Sequence, residues 1–175
     1  MKKIIYLLAV LFQFTISLSA QTTTASLDNV NGIPGNNVTI PLNVTNFNNV
    51  GAITIRIQFN TSVLNWGQIL NWDSQITGVL AGANGDILTI AWDGTSGVTI
   101  SNGKLLDLEF LYLGGTSSLS FVIAQCEIAD VNGNILSVNY TNGSVNPQGS
   151  SISVTAPLAG VTWTIGGSTQ PVTWT

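Results

Sequence analysis

The chain has 175 residues, enough for one domain of ordinary size or one domain and a fragment of another. Only 7% of them are charged, four Lys and Arg against eight Asp and Glu, where a typical globular domain has about 25%. Cations this sparse cannot track a phosphate backbone, the absence of His removes His-based triads and zinc sites, and the single Cys126 excludes an intrachain disulfide.

Polarity comes instead from 18 Asn, 16 Ser and 20 Thr, which are neutral hydrogen-bonders. With 45% apolar residues the chain can still bury a core. Lys2 and Lys3 precede the apolar run Ile4 to Phe12, and Leu18-Ser19-Ala20 closes the segment. A positive start, a short apolar stretch and small residues at the cut make residues 1–20 a secretory signal. The run is too short for a membrane span, which needs about 20 residues. Cleavage would leave Arg56 and Lys104 against eight acids, a net charge of −6.

From Thr22 onward the recurring apolar period is two, which predicts strands. The first is expected over 22–30. Val38-Thr39-Ile40-Pro41-Leu42-Asn43-Val44 alternates cleanly, as does Ile53-Thr54-Ile55-Arg56-Ile57-Gln58-Phe59. Further strands are expected over 63–70, 76–82, 87–92, 104–113, 119–128 and 136–145. Turn chemistry separates them at Asn31-Gly32, Pro34-Gly35, Asn84-Gly85, Asp93-Gly94, Asn102-Gly103, Asn132-Gly133 and Asn142-Gly143. About nine strands in this arrangement predict an all-β, two-sheet sandwich. Residues 147–151 read as a linker, and 152–175 as the truncated start of a second β module.

The residues Asn31-Gly32-x-Pro34-Gly35-x-x-Val38-x-Ile40-Pro41-Leu42-x-Val44 resemble the opening of cohesin domains. Val50-Gly51, the strand after it and Phe59-Asn60-x-x-Val63-Leu64 are similar to the next strand and turn of that family. Ala129-Asp130-x-Asn132-Gly133 through Thr141-Asn142-Gly143-Ser144-Val145 resembles its close. The resemblance covers about residues 22–146 and implies a nine-stranded jelly-roll sandwich. It also implies binding of dockerin modules of secreted polysaccharide-degrading enzymes, and kinship with carbohydrate-binding modules. In the tail, Ile152-x-Val154-x-x-Pro157-x-x-Gly160-x-x-Trp163-x-x-Gly166 with Val172-x-Trp174 is similar to the start of an immunoglobulin-like module of Ser/Thr-rich wall proteins. Nothing functional is carried over from so short a piece.

In the family the partner lies across one sheet, on the third strand and its neighbours. That implies Ala52, Thr54, Arg56 and Gln58 as outward contact residues, with Thr89 and Ala91 flanking them. The family often has acidic or amide residues where Ala52 and Thr54 stand, so this chain departs from ordinary dockerin specificity there. Arg56 is expected to anchor a carboxylate in an acidic patch of a secreted protein partner; the alternative is that it merely keeps the sheet face soluble.

Trp66 and Trp92 share parity with core positions and are expected inside, whereas Trp72 beside Asp73 is the candidate for exposure and glycan contact. Asp107 and Glu109 lie two apart opposite Leu106, Leu108 and Phe110 and are expected to face solvent rather than form a catalytic pair. Asp130-x-Asn132-x-Asn134 looks like the front of a calcium loop, yet its sixth and twelfth positions are Ile135 and Thr141 instead of Gly and Glu. A hairpin turn explains the same residues, so no cofactor is expected, with loop-stabilising or adventitious calcium as the alternative. Sequons at Asn37, Asn43, Asn60, Asn139 and Asn142 are what so much Asn and Thr produces by chance, and Cys126 is expected as a buried small apolar side chain. No base, nucleophile or metal set is arranged for catalysis. The functional expectation is a secreted, non-catalytic cohesin-like interaction module; the alternatives are a carbohydrate-binding module and a structural spacer in a surface protein.

Overall fold

The computed structural model describes residues 22–149 and the short strand pair Val154–Ala156 with Thr173–Trp174. The segment 1–20 expected as a signal, and nearly all of the tail, lie outside the described residues.

Two long ribbons organise the domain. β3 runs Asn37–Gln58 and β6 runs Ile87–Tyr112, and they pair antiparallel from Asn37↔Leu111 to Gln58↔Ile87. Both pass through two layers. In the first layer β9 (Val138–Thr141), β1 (Thr23–Leu27), β3 over 37–45, β6 over 102–112 and β4 (Leu64–Leu70) lie side by side. In the second, β5 (Leu80–Asn84), β6 over 87–93 and β3 over 50–58 are followed by β8 (Glu127–Asp130) and β7 (Ser117–Phe121), each against part of β3. β10 (Gly143–Pro147) and β2 (Asn29–Gly32) extend the β7 side. The expected jelly-roll sandwich is the fold found.

Apolar parity shows how β3 changes layers. Val38, Ile40, Leu42 and Val44 are buried at even positions, then Phe47, and then Ile53, Ile55, Ile57 and Phe59 at odd ones. Register shifts between Phe47 and Val50 and again before Ala52 absorb the change. Asn46 and Asn49 at this corner take the left-handed conformation, both with φ of 53°. Asn tolerates that region far better than a β-branched residue would. Asn46 also donates its side-chain amide to the Thr22 carbonyl (3.1 Å), and its own carbonyl accepts from the Thr23 hydroxyl (3.0 Å).

Several expected strands divide at similar crossings. The 22–30 segment breaks at Asp28 into β1 and β2, and 136–145 breaks at Asn142 into β9 and β10. β1 pairs parallel with β9 and β2 parallel with β10, so two segments of the chain cross between layers side by side. A Cβ on Gly143 would come within 2.5 Å of the Asp28 carbonyl, so this glycine serves close approach rather than a hairpin turn. Asp93-Gly94 and Asn102-Gly103 also lie inside β6, and Asn31-Gly32 lies inside β2. Asn84-Gly85 is the hairpin expected, with Gly85 at φ 61° between β5 and β6. The 119–128 segment is interrupted by a 3₁₀ turn at Ile123–Gln125, and the strand expected over 76–82 forms at 80–84 instead.

Trp92 is buried at 7% exposure and donates its indole N–H to the Thr77 carbonyl (3.0 Å). Trp66 corrects its expectation: it is only half-buried, standing edge-on to Phe110 at 5.2 Å. It sits on β4, which pairs only with β6 and carries a register shift between Trp66 and Gln68, so it packs against the core without being enclosed. Asp107 corrects another. It is 4% exposed, covered where the chain leaves β4, and bound to Lys104 Nζ (2.6 Å) and Asn71 Nδ2 (2.9 Å).

The alternation on β3 predicts opposite outcomes for adjacent residues. Ile55→Ala should lower stability by about 2–5 kcal/mol, through lost burial and a residual cavity. Thr54→Ala on the outer side should change it by no more than about 0.5 kcal/mol. Urea unfolding followed by tryptophan fluorescence measures both.

Candidate partner-binding face

The outer side of the second layer is an open sheet face. Alternation on β3 turns Ala52, Thr54, Arg56 and Gln58 away from the core, the first three half-buried and Gln58 exposed. Thr89 and Ala91 on β6 lie directly opposite Arg56 and Thr54, and Leu80 and Gly82 of β5 lie opposite Ala91 and Thr89. All six residues expected on the face are therefore brought together. Leu80 was missed by the sequence reading; it is 72% exposed and borders a shallow groove of about 320 Å³ with Ala81, Gly82, Thr89 and Ala91. A run of Leu, Ala, Gly and Ala carries no alternation, which is why periodicity gave no warning of it.

Arg56 is the cation of this face. Its Nη1 donates to Gln125 Oε1 at 2.7 Å, while its Nε is buried without a hydrogen-bond partner. The only ion pair among the described residues is Lys104–Asp107, so Arg56 has no carboxylate of its own. Gln125 reaches it from the 3₁₀ turn, a residue that nothing in the sequence pattern singles out. Beneath, the Arg56 backbone N–H points at the Cys126 thiol (3.3 Å). Burial pushes that thiol's pKa up, which keeps Cys126 a half-buried, protonated side chain at neutral pH.

Exposed acids border the face. Glu127 pairs across from Thr54, Asp93 lies opposite Ala52, and Asp86 accepts from Gln58 Nε2 at 2.8 Å.

The other candidate residues lie elsewhere. Trp72 is 47% exposed, as expected, in the segment after β4 that follows the first layer rather than the second. Its neighbour Asn71 takes φ 46° and reaches Asp107. Glu109 accepts from Gln68 Nε2 (2.9 Å), so the two acids of that strand are tied separately.

Asp130, Asn132 and Asn134 do come together. Asp130 Oδ1 accepts from the Asn132 N–H (2.8 Å) and the Asn134 N–H (2.9 Å), and Oδ2 accepts from Asn134 Nδ2 (2.9 Å). Its carboxylate thus closes the turn around Gly133 by meeting donors. The Asn134 side-chain amide, followed by the Asn134 backbone N–H, holds the Asp130 pKa below its ordinary value. A depressed carboxylate pKa stabilises the turn above the ordinary Asp value of about 3.9, and the contribution is lost as pH falls through the lowered one. In an NMR titration, the Asn132 and Asn134 amide shifts should move together with a midpoint below about 3.9, and Asp130→Asn should abolish the transition.

A family model described as the cohesin domain matches residues 23–147. Among solved structures, the non-cellulosomal cohesin of the archaeon Archaeoglobus fulgidus is similar with a TM-score of 0.64 and 21% identity, over 74% of this chain and 93% of that one. CaCohA2 of Clostridium acetobutylicum, in its complex with CaDoc0917, gives 0.66 and 21% over 73% and 100%. The third cohesin of ScaC from Acetivibrio cellulolyticus, bound to the ScaB dockerin mutated in its C-terminal helix, gives 0.64 and 15% over 72% and 99%. No curated protein matches the sequence. With the match spanning the whole sandwich, from the first residue of β1 to the last of β10, the chain belongs to the cohesin family.

Proposed function

We propose that the chain is an exported, non-catalytic docking module that holds a dockerin-type partner in extracellular polysaccharide degradation. The observation that carries this reading is the open face of β5, β6, β3 and β8. Its floor is small, Ala52, Thr54, Thr89, Ala91 and Gly82, with an exposed Leu80 on one side and a carboxylate-free Arg56 on the other. Solved relatives named as cohesin–dockerin complexes support a partner of that class. The leader at residues 1–20 supports export. Support for a non-catalytic role comes from the acids on β6: Asp107 is held by Lys104 and Asn71, and Glu109 by Gln68. A glycan-binding reading draws on one observation, the exposed Trp72.

Calorimetry against a panel of dockerin modules, beside binding to insoluble cellulose, xylan and chitin, separates the two. A dockerin should bind the wild type, and Ala91→Trp, which raises a bulky ring from the floor of the face, should weaken binding by about 30-fold with an unchanged melting temperature. Binding to a polysaccharide alone, lost in Trp72→Ala and untouched by Ala91→Trp, would move the function to the glycan reading.

A further inference from the structure

The charges on the open face form a pattern that specifies a partner. Beyond the leader the chain carries two cations and eight acids, and Lys104 is consumed by Asp107. Among the described residues the single cation left is Arg56, on the central strand of the face, with its guanidinium bonded to Gln125. Around it Asp86, Asp93 and Glu127 are all exposed and none of them closes an ion pair with it. A positive centre within a negative rim complements a carboxylate flanked by cations, rather than a uniformly acidic patch, which the rim would repel.

The apolar contact is displaced from that centre. Leu80 lies two strands across from β3 and two residues along from the Arg56 row, a Cα separation of about 12 Å at ordinary sheet spacings. The residues between, Ala91, Thr89, Thr54 and Gly82, are too small to hold a partner's backbone away. A helix lying across this floor would span the separation in about eight residues, at 1.5 Å each. Residues eight apart fall on the same helical face.

This inference rests on the docking reading above. We propose that the partner presents an amphipathic helix whose exposed face carries an Asp or Glu for Arg56 and, about eight positions away, a large apolar side chain for Leu80, with Lys or Arg flanking the acid to meet Asp86, Asp93 and Glu127. The guanidinium can receive the carboxylate through its outer nitrogens, a charge-assisted contact shielded by the surrounding floor. Arg56 thereby sets which partners are accepted, because a base at the same helix position meets a desolvated like charge.

A yeast-displayed dockerin library randomised on its exposed helix positions tests this. It is sorted against the full chain, against Arg56→Glu and against Leu80→Ser, each first shown to melt with the wild type. Wild-type winners should fix an acid about eight positions from Leu, Ile, Met or Phe, with bases flanking the acid, and should bind Arg56→Glu about 30-fold more weakly. The Arg56→Glu sort should replace the acid with Lys or Arg, and the Leu80→Ser sort should lose the apolar preference. Winners that bind wild type and Arg56→Glu equally, with no preferred acid, would overturn this inference and leave docking intact. No binder from any sort would overturn both.

Discussion

Every strand of the domain depends on the pairing of β3 with β6. Those two ribbons share 18 residue pairs, from one end of the sandwich to the other. β1, β7 and β8 attach to β3, and β4 and β5 attach to β6. β9, β2 and β10 attach through those. The cost of such a ribbon is that it must turn from one layer into the other without losing its ladder. β3 meets that cost with bulges and with two Asn residues in a left-handed conformation, so that buried positions pass from even to odd number between Val44 and Ile53. A β-branched residue at Asn46 or Asn49 would resist the turn.

The same geometry makes the proposed binding face. Past the corner, the odd positions of β3 fill the core and the even positions face outward, with β6 in matching register beside them. Because charged residues are so few, the electrostatics of the face come from single side chains instead of a broad field. One Arg held by one Gln, and three acids at the margin, are enough to define a pattern. Such contacts act at short range, since isolated exposed charges are screened within about 8 Å at physiological salt. In the proposed docking, specificity is therefore a matter of side-chain positions on the sheet.

Much of this was legible in the sequence because period two survives wherever one side of a strand meets the core. The alternations at 38–44, 53–59 and 88–92 gave the two central strands, their buried faces and the outward set from Ala52 to Gln58. The Asn84-Gly85 hairpin was equally plain. What escaped detection has a common cause. Asn-Gly and Asp-Gly pairs mark sharp local backbone needs, and in this sandwich those needs arise at layer crossings as well as at the Asn84-Gly85 hairpin. Asp93-Gly94 looks like a turn but sits within β6, and Asn142-Gly143 marks the crossing from β9 to β10 rather than a hairpin. Asp107 obeys the outward parity of its strand, yet the segment after β4 covers it, a long-range contact that no local pattern contains. Leu80 and Gln125 fall in stretches without alternation, so their places on the face became visible only once β5 and the 3₁₀ turn were positioned.

The central claim is that one sheet, rather than the sandwich as a whole or its exposed tryptophan, meets the partner. Backbone amide shift mapping on the isotopically labelled chain, titrated with a dockerin that binds it, tests this most directly. The account predicts that the perturbed amides cluster at residues 52–58, 80–91 and 125–127, with β1, β4 and the segment around Trp72 unchanged. Perturbations centred on residues 71–72 and 104–109, leaving Arg56 and Ala91 untouched, would contradict it.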